Sequence, residues 1–187
     1  MLCPELVSHF QNWALDFSQT LHLGQDGMSK AESLPIENVQ DYPRPPAVEP
    51  VRQRITVLFG DTLIVDTVDA FRVLETHHAP TYYVPLSDFS GRLTPIEGRS
   101  YCEWKGIARY FDVSSDSRVA ERAAWAYDSP ESKFKMLAGY IAIYASKMDV
   151  CTVGDEVVQP QPGHLYGGWQ TSNLAGIIKG GPGTEHW

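Results

Sequence analysis

The chain has 187 residues, 43% of them apolar and 20% charged, with 13 prolines and 15 glycines spread along it, the composition of a globular domain rather than of a disordered segment. Its net charge of −8 repels phosphate backbones, and the basic residues gather into no patch that would offset this, which argues against nucleic acid as a partner. No run of roughly 18 apolar residues and no signal-peptide pattern is present, so no membrane span is expected and the cytoplasm is the expected compartment.

Residues 4–22 read as a helix: Leu6, Phe10, Trp13, Phe17 and Leu21 recur at helical spacing as one apolar stripe, with Asp16 and Gln19 off it. Such a stripe needs a partner surface, either on the main domain or across a homodimer. Residues 24–33 are polar and glycine-containing and read as a linker, with Met28 inside it as a start for a shorter product. The chain thus divides into a helical extension, 1–27, and one domain, 28–187. Pro43, Pro45, Pro46 and Pro50 then call for an extended path over the surface.

Strands follow. Ile55, Val57 and Phe59 alternate before a Gly60-Asp61 turn, and Leu63, Ile64 and Val65 resume the pattern. Thr81–Val84 and Ile107–Val113 are β-branched and aromatic, and Val150–Val153 with Glu156–Val158 flank Gly154-Asp155 as a closing hairpin. One long helix is expected near 130–147. Ser129 would cap it, Pro130 would take its first position, and Phe134, Leu137, Ala138, Ile141, Tyr144 and Ala145 would line one face. The sum is a mainly β, α+β domain with a tail rich in Gly, Trp and Pro.

The segment FGDTLIVDTVDAFRVLETHHAPTYY at residues 59–83, then Cys102-Glu103-Trp104-Lys105-Gly106, Ala124-Trp125-Ala126-Tyr127 and Met148-Asp149-Val150, resembles in order the motifs of domain of unknown function family 427. The tail, with Gly167-Gly168-Trp169 and Lys179-Gly180-Gly181-Pro182-Gly183-Thr184, looks like that of its longer members. The resemblance implies a β-tent fold of antiparallel sheets. Relatives in that fold often hold a structural zinc on two CxxC knuckles. Cys3, Cys102 and Cys151 form no such pair, so neither that zinc nor a disulfide framework is expected. The family is sometimes labelled nucleotidyltransferase-like, but this chain has no phosphate loop and no paired-carboxylate metal motif. It departs from the family at His77, Ala79, His164 and Ile177-Ile178, so a pocket among these segments would favour a different ligand.

Glu75, His77 and His78 are the densest titratable cluster, and a Glu with a His can supply a general base and acid near neutral pH. The same residues could simply anchor a loop by hydrogen bonds. Tyr82 and Tyr83 must face opposite sides of a strand, one into the core and one toward a pocket, where a phenol would donate to a developing oxygen charge. Lys105, between Trp104 and Gly106, is a base or anion-binding group if desolvated, or a surface lysine covering Trp104. Trp125, Tyr127 and Trp169 are candidate aromatic walls, with core packing favoured for Trp125, and Cys102 reads as a plain buried thiol.

The leading expectation is a metal-free, cofactor-independent enzyme acting on a small molecule by acid–base chemistry, of isomerase, cyclase or lyase type. Glu75, His78, Tyr83 and Lys105 would be its catalytic residues, and Tyr82, His77, Trp104, Tyr127 and Trp169 would bind the substrate. The alternative is a non-catalytic small-molecule-binding module with an aromatic cage. The discriminating feature is a perturbed acid or base in the pocket, which an enzyme needs and a binder does not.

Overall fold

A computed structural model describes residues 34–163 and 165–184. The expected N-terminal helix, the linker with Met28, and His164 lie outside the described residues. Among those described, fifteen strands run in chain order: β1 (Glu37–Asn38), β2 (Ala47–Val51), β3 (Ile55–Phe59), β4 (Thr62–Thr67), β5 (Ala70–Leu74), β6 (Thr81–Pro85), β7 (Arg92–Cys102), β8 (Gly106–Ser114), β9 (Val119–Ala126), β10 (Tyr140–Ile143), β11 (Val150–Val153), β12 (Glu156–Val157), β13 (Gln159–Pro160), β14 (Trp169–Gln170) and β15 (Leu174–Ala175). A seven-stranded sheet has the order β2-β5-β6-β10-β9-β8-β7, and a four-stranded one the order β12-β11-β3-β4. Both are antiparallel throughout.

The expected strands form where alternation put them. In β3, Ile55, Val57 and Phe59 are buried while Thr56 and Leu58 are half-exposed. Gly60 and Asp61 both take positive φ, the twist that a two-residue hairpin turn needs. The proline-rich stretch ends in β2, which pairs only with β5. Pro50 therefore sits on an edge strand, where its missing N–H leaves no ladder bond unmade.

The long helix expected near 130–147 does not form. Ser132–Leu137 is a short 3₁₀ turn preceded by Glu131 rather than by a Ser129 cap, Gly139 turns the chain at φ +83°, and Ala145–Lys147 is a second 3₁₀ turn. Between them β10 lies in the middle of the large sheet, paired with β6 and β9. The physical reason is that Ile141, Ala142 and Ile143 are all buried. A central strand covered on both faces reads as a continuous apolar run, which periodicity cannot tell from one side of a helix.

The two faces of the large sheet serve different ends. One packs on the four-stranded sheet through Tyr82, Val84, Ala124, Ala126, Ile141 and Ile143 against Ile55, Val57, Phe59, Ile64 and Val153. The other carries Val73, Tyr83, Ala108, Tyr110, Trp125 and Ala142, covered only in part by Phe134 and Leu137. Because side chains alternate along each strand, neighbours such as Tyr82 and Tyr83 are divided between the two faces.

Candidate functional site

The second face of the large sheet holds a cavity of about 550 Å³, within the size range of small-molecule sites. Val73 of β5, Thr81 and Tyr83 of β6, Tyr110 of β8 and Trp125 of β9 form its floor, with Tyr127 and Tyr144 beside them. Ser100, Tyr101 and Cys102 of β7, with Glu103, Trp104 and Lys105 of the β7–β8 turn, make one side. Glu75, His78, Leu165, Tyr166, Gly167 and Lys179 make the other.

The floor is a run of rings. Trp125 lies 4.5 Å from Tyr144 and 6.4 Å from Tyr83, and Tyr83 lies 6.5 Å from Tyr127, all between centroids. Lys105 stands at the end of this run, its Nζ 5.9 Å from the centroids of both Tyr127 and Phe134. It is only 9% exposed, and among the described residues no carboxylate pairs with it. Two donors on the cavity are buried without an acceptor, the Tyr83 hydroxyl and Trp104 Nε1. The Trp125 and Tyr127 side chains approach the Tyr83 oxygen as hydrogen-bonding neighbours that would favour its ionised form, but neither closes a hydrogen bond with the hydroxyl. Ser100 and Tyr110, by contrast, satisfy one another at 2.7 Å.

The Glu75–Ala79 loop is held by its backbone and by one buried amide. His77 takes φ +64°, its N–H donates to the Val39 carbonyl (2.9 Å), and its own carbonyl accepts from Lys179 N–H (2.9 Å). Gln161, 2% exposed, accepts from Ala79 N–H (3.2 Å) through Oε1, which fixes which end of its amide is nitrogen. Its Nε2 then donates to the Lys179 carbonyl (3.0 Å) and to His78 Nδ1 (3.3 Å). His78 must therefore carry its proton on Nε2, 3.9 Å from Glu75 Oε1. Burial, then the positive charges of Lys179, Lys105 and Arg44, push the His78 imidazolium down to about 3. The imidazole is thus neutral at pH 7, and its approach to Glu75 is a near contact rather than an ion pair. Burial likewise raises the Tyr83 and Tyr127 phenols far above their ordinary value and brings Tyr144 up to about 12.

The tail closes the cavity by close approach. A Cβ on Gly167 would fall 2.1 Å from Trp125 Cη2, and one on Gly168 would fall 2.5 Å from the Ala79 carbonyl oxygen. Only glycines let the chain lie this near the floor and the loop.

Of the residues expected at a site, Glu75, His78, Tyr83, Trp104, Lys105 and Tyr127 are brought together around the cavity. Tyr82 and Trp169 are not. They stack at 5.3 Å in the core between the sheets, where Trp169 Nε1 donates to the Ile143 carbonyl (2.9 Å), because β6 alternation sends Tyr82 to that face. His77 also turns away, its Nδ1 3.1 Å from the Ile177 carbonyl oxygen. Cys102, read as core, is half-buried on the cavity wall. Sequence reasoning missed Tyr166, Lys179 and Gln161, and for Trp125, a candidate wall, it favoured the core where the structure sets the ring on the cavity floor. Lys179 lay in a recognised motif, but nothing local says that its carbonyl and Nζ return to the Glu75 loop. Among the described residues, no three of His, Cys, Asp and Glu gather closely enough to hold a metal ion, and no helix is long and apolar enough to cross a membrane.

No curated protein matches the chain. The family model described as Domain of unknown function (DUF427) matches residues 47–154, from β2 through β11, which takes in the cavity floor, Glu75, His78 and Lys105 but not Tyr166, Gly167 or Lys179. That match covers more than half of the chain, and the protein belongs to this family.

Proposed function

We propose that the cavity is a binding site for a small molecule that brings hydrogen-bond acceptors with it. The observation that carries this reading is the pair of buried donors without partners, Tyr83 Oη and Trp104 Nε1, on one cavity. A buried polar group left unsatisfied costs about 1–3 kcal/mol, and a bound acceptor removes that cost. The perturbed groups around the cavity are all driven toward their neutral forms, His78 downward and the three tyrosines upward. Recognition by neutral donors, as in a binding module, therefore ranks ahead of proton transfer by His78. The β-tent arrangement implied by the family resemblance suits this reading, since two antiparallel sheets that share one face leave the other free to be hollowed.

A second reading, an acid–base enzyme of isomerase, cyclase or lyase type, is favoured by the placement of Glu75. Its carboxylate lines the cavity 3.9 Å from the His78 Nε2–H, near enough for the neutral imidazole to steady it while it takes a proton from a bound molecule. The test is native mass spectrometry of the full chain for a co-purifying small molecule, followed by thermal-shift screening and turnover of each hit. Binding that disappears in Tyr83→Phe/Trp104→Phe supports the site. Binding left intact by both changes refutes it.

A further inference from the structure

We infer that the cavity takes a flat, conjugated monocarboxylate, its ring or unsaturated body laid along the Tyr144–Trp125–Tyr83–Tyr127 run and its carboxylate held by Lys105 and Trp104 Nε1. This deepens the proposed binding role and rests on it. Three observations converge. First, Lys105 is nine-tenths buried with no carboxylate partner among the described residues. Its contacts with Tyr127 and Phe134, at 5.9 Å to each centroid, lie at the outer edge of cation–π range and do not replace an anion. Second, the neighbouring indole N–H of Trp104 is a buried donor without an acceptor, so two donors from adjacent residues face the same cavity. A carboxylate has two oxygens and accepts from both at once, with charge-assisted bonds to the ammonium. Third, the ring run that ends at Lys105 is continuous, with centroid spacings of 4.5, 6.4 and 6.5 Å and ring planes inclined at 44°, 78° and 41°, so it offers ring faces and ring edges together to a planar body. The Tyr83 hydroxyl in the middle of this run is left to donate to a ring substituent or an enone oxygen.

The charge around the site selects a single negative charge. Lys105, Lys179 and Arg44 all act on His78, so this part of an acidic chain is locally positive. Arg44 is already paired with Glu103 at 2.8 Å, and Lys179 lies over Tyr166 at 5.0 Å to the centroid, which leaves Lys105 as the interior cation. Glu75 on the opposite wall disfavours a second negative charge, and among the described residues no glycine-rich loop lining the cavity opens a helix that could receive a dianion.

The experiment uses the full chain and three matched probes, cinnamate, cinnamamide and phenyl phosphate, with affinities measured by calorimetry. Cinnamate is expected to bind about tenfold or more tightly than cinnamamide, and Lys105→Met to erase that preference. Lys105→Met replaces a buried charge with an apolar chain of similar length. Should it fail to fold, the comparison of acid with amide on the wild type decides alone. Equal binding of acid and amide, or tighter binding of phenyl phosphate, overturns the carboxylate assignment while leaving a small-molecule site. Failure of all three probes overturns this inference, and if the chemically diverse thermal-shift screen also yields no ligand, the binding role falls with it.

Discussion

Replacing His78 with phenylalanine keeps the edge contact of its ring with Tyr166, 4.7 Å between centroids, and removes one titrating group. In the folded chain the imidazole is held near 3, chiefly by burial, whereas in the unfolded chain it titrates near 6.5. The sign follows. Above about pH 6.5 both states leave the imidazole neutral and His78 contributes nothing to the pH dependence. As the pH falls below that, the unfolded chain takes up a proton that the folded chain refuses, and stability is lost by about 1.4 kcal/mol for each pH unit. Between about pH 6.5 and 5 the loss is on the order of 2 kcal/mol, and it continues to about pH 3. Carboxylates titrate at the acid end of this window in wild type and variant alike, so the quantity to read is the difference between the two proteins. Urea unfolding at a series of pH values should show the wild type losing about 2 kcal/mol more than His78→Phe between about pH 7 and pH 5. Parallel curves over that range would falsify the argument, because His78 would then be as well hydrated when folded as when unfolded.

Three further outcomes are expected. Tyr83→Phe keeps the ring packing and deletes the unpartnered hydroxyl, so the unliganded protein should hold its melting temperature or gain about 1 kcal/mol, and a clear drop in calorimetry would mean that the hydroxyl is satisfied in solution. Gly168→Ala drives a Cβ to 2.5 Å from the Ala79 carbonyl oxygen and 2.3 Å from Gln161 Oε1, and should cost about 1–3 kcal/mol in denaturant unfolding. Iodoacetamide followed by peptide mapping should label Cys102, half-buried on the cavity wall, well before Cys151. The latter is buried with its thiol pushed up to about 12, so equal rates in the folded protein would contradict its burial.

Much of the β architecture was legible from local pattern. The Ile55–Phe59 alternation, the Gly60-Asp61 turn and the Val150–Val157 hairpin need only period-two burial and turn chemistry, which neighbouring residues decide among themselves. The segments at 75–83 and 104–106 and the tail near Trp169 were also legible as places where titratable, aromatic and glycine residues coincide, and the fold brings Glu75, His78, Tyr83, Trp104, Lys105 and Gly167 of them to one cavity while Tyr82 and Trp169 turn into the core. What could not be read was which face each residue takes. Tyr82 and Tyr83 are adjacent and chemically alike, and only the pairing of β6 with β5 and β10 sends one to the core and the other to the cavity. Ile141–Ile143 could serve a helix as well as a strand until β6 and β9 closed over it from both sides. Gln161 showed no local signal at all, and Lys179 showed only its place in a glycine-rich motif. Gln161 matters because its amide lies against Ala79, His78 and the Lys179 carbonyl at once, an arrangement made by chain segments some eighty residues apart in sequence. The local sequence determined the strands and the stock of chemical groups. Burial and hydrogen-bond satisfaction across distant strands decided which of those groups meet, because side-chain direction in a sheet depends on partners that no local window contains.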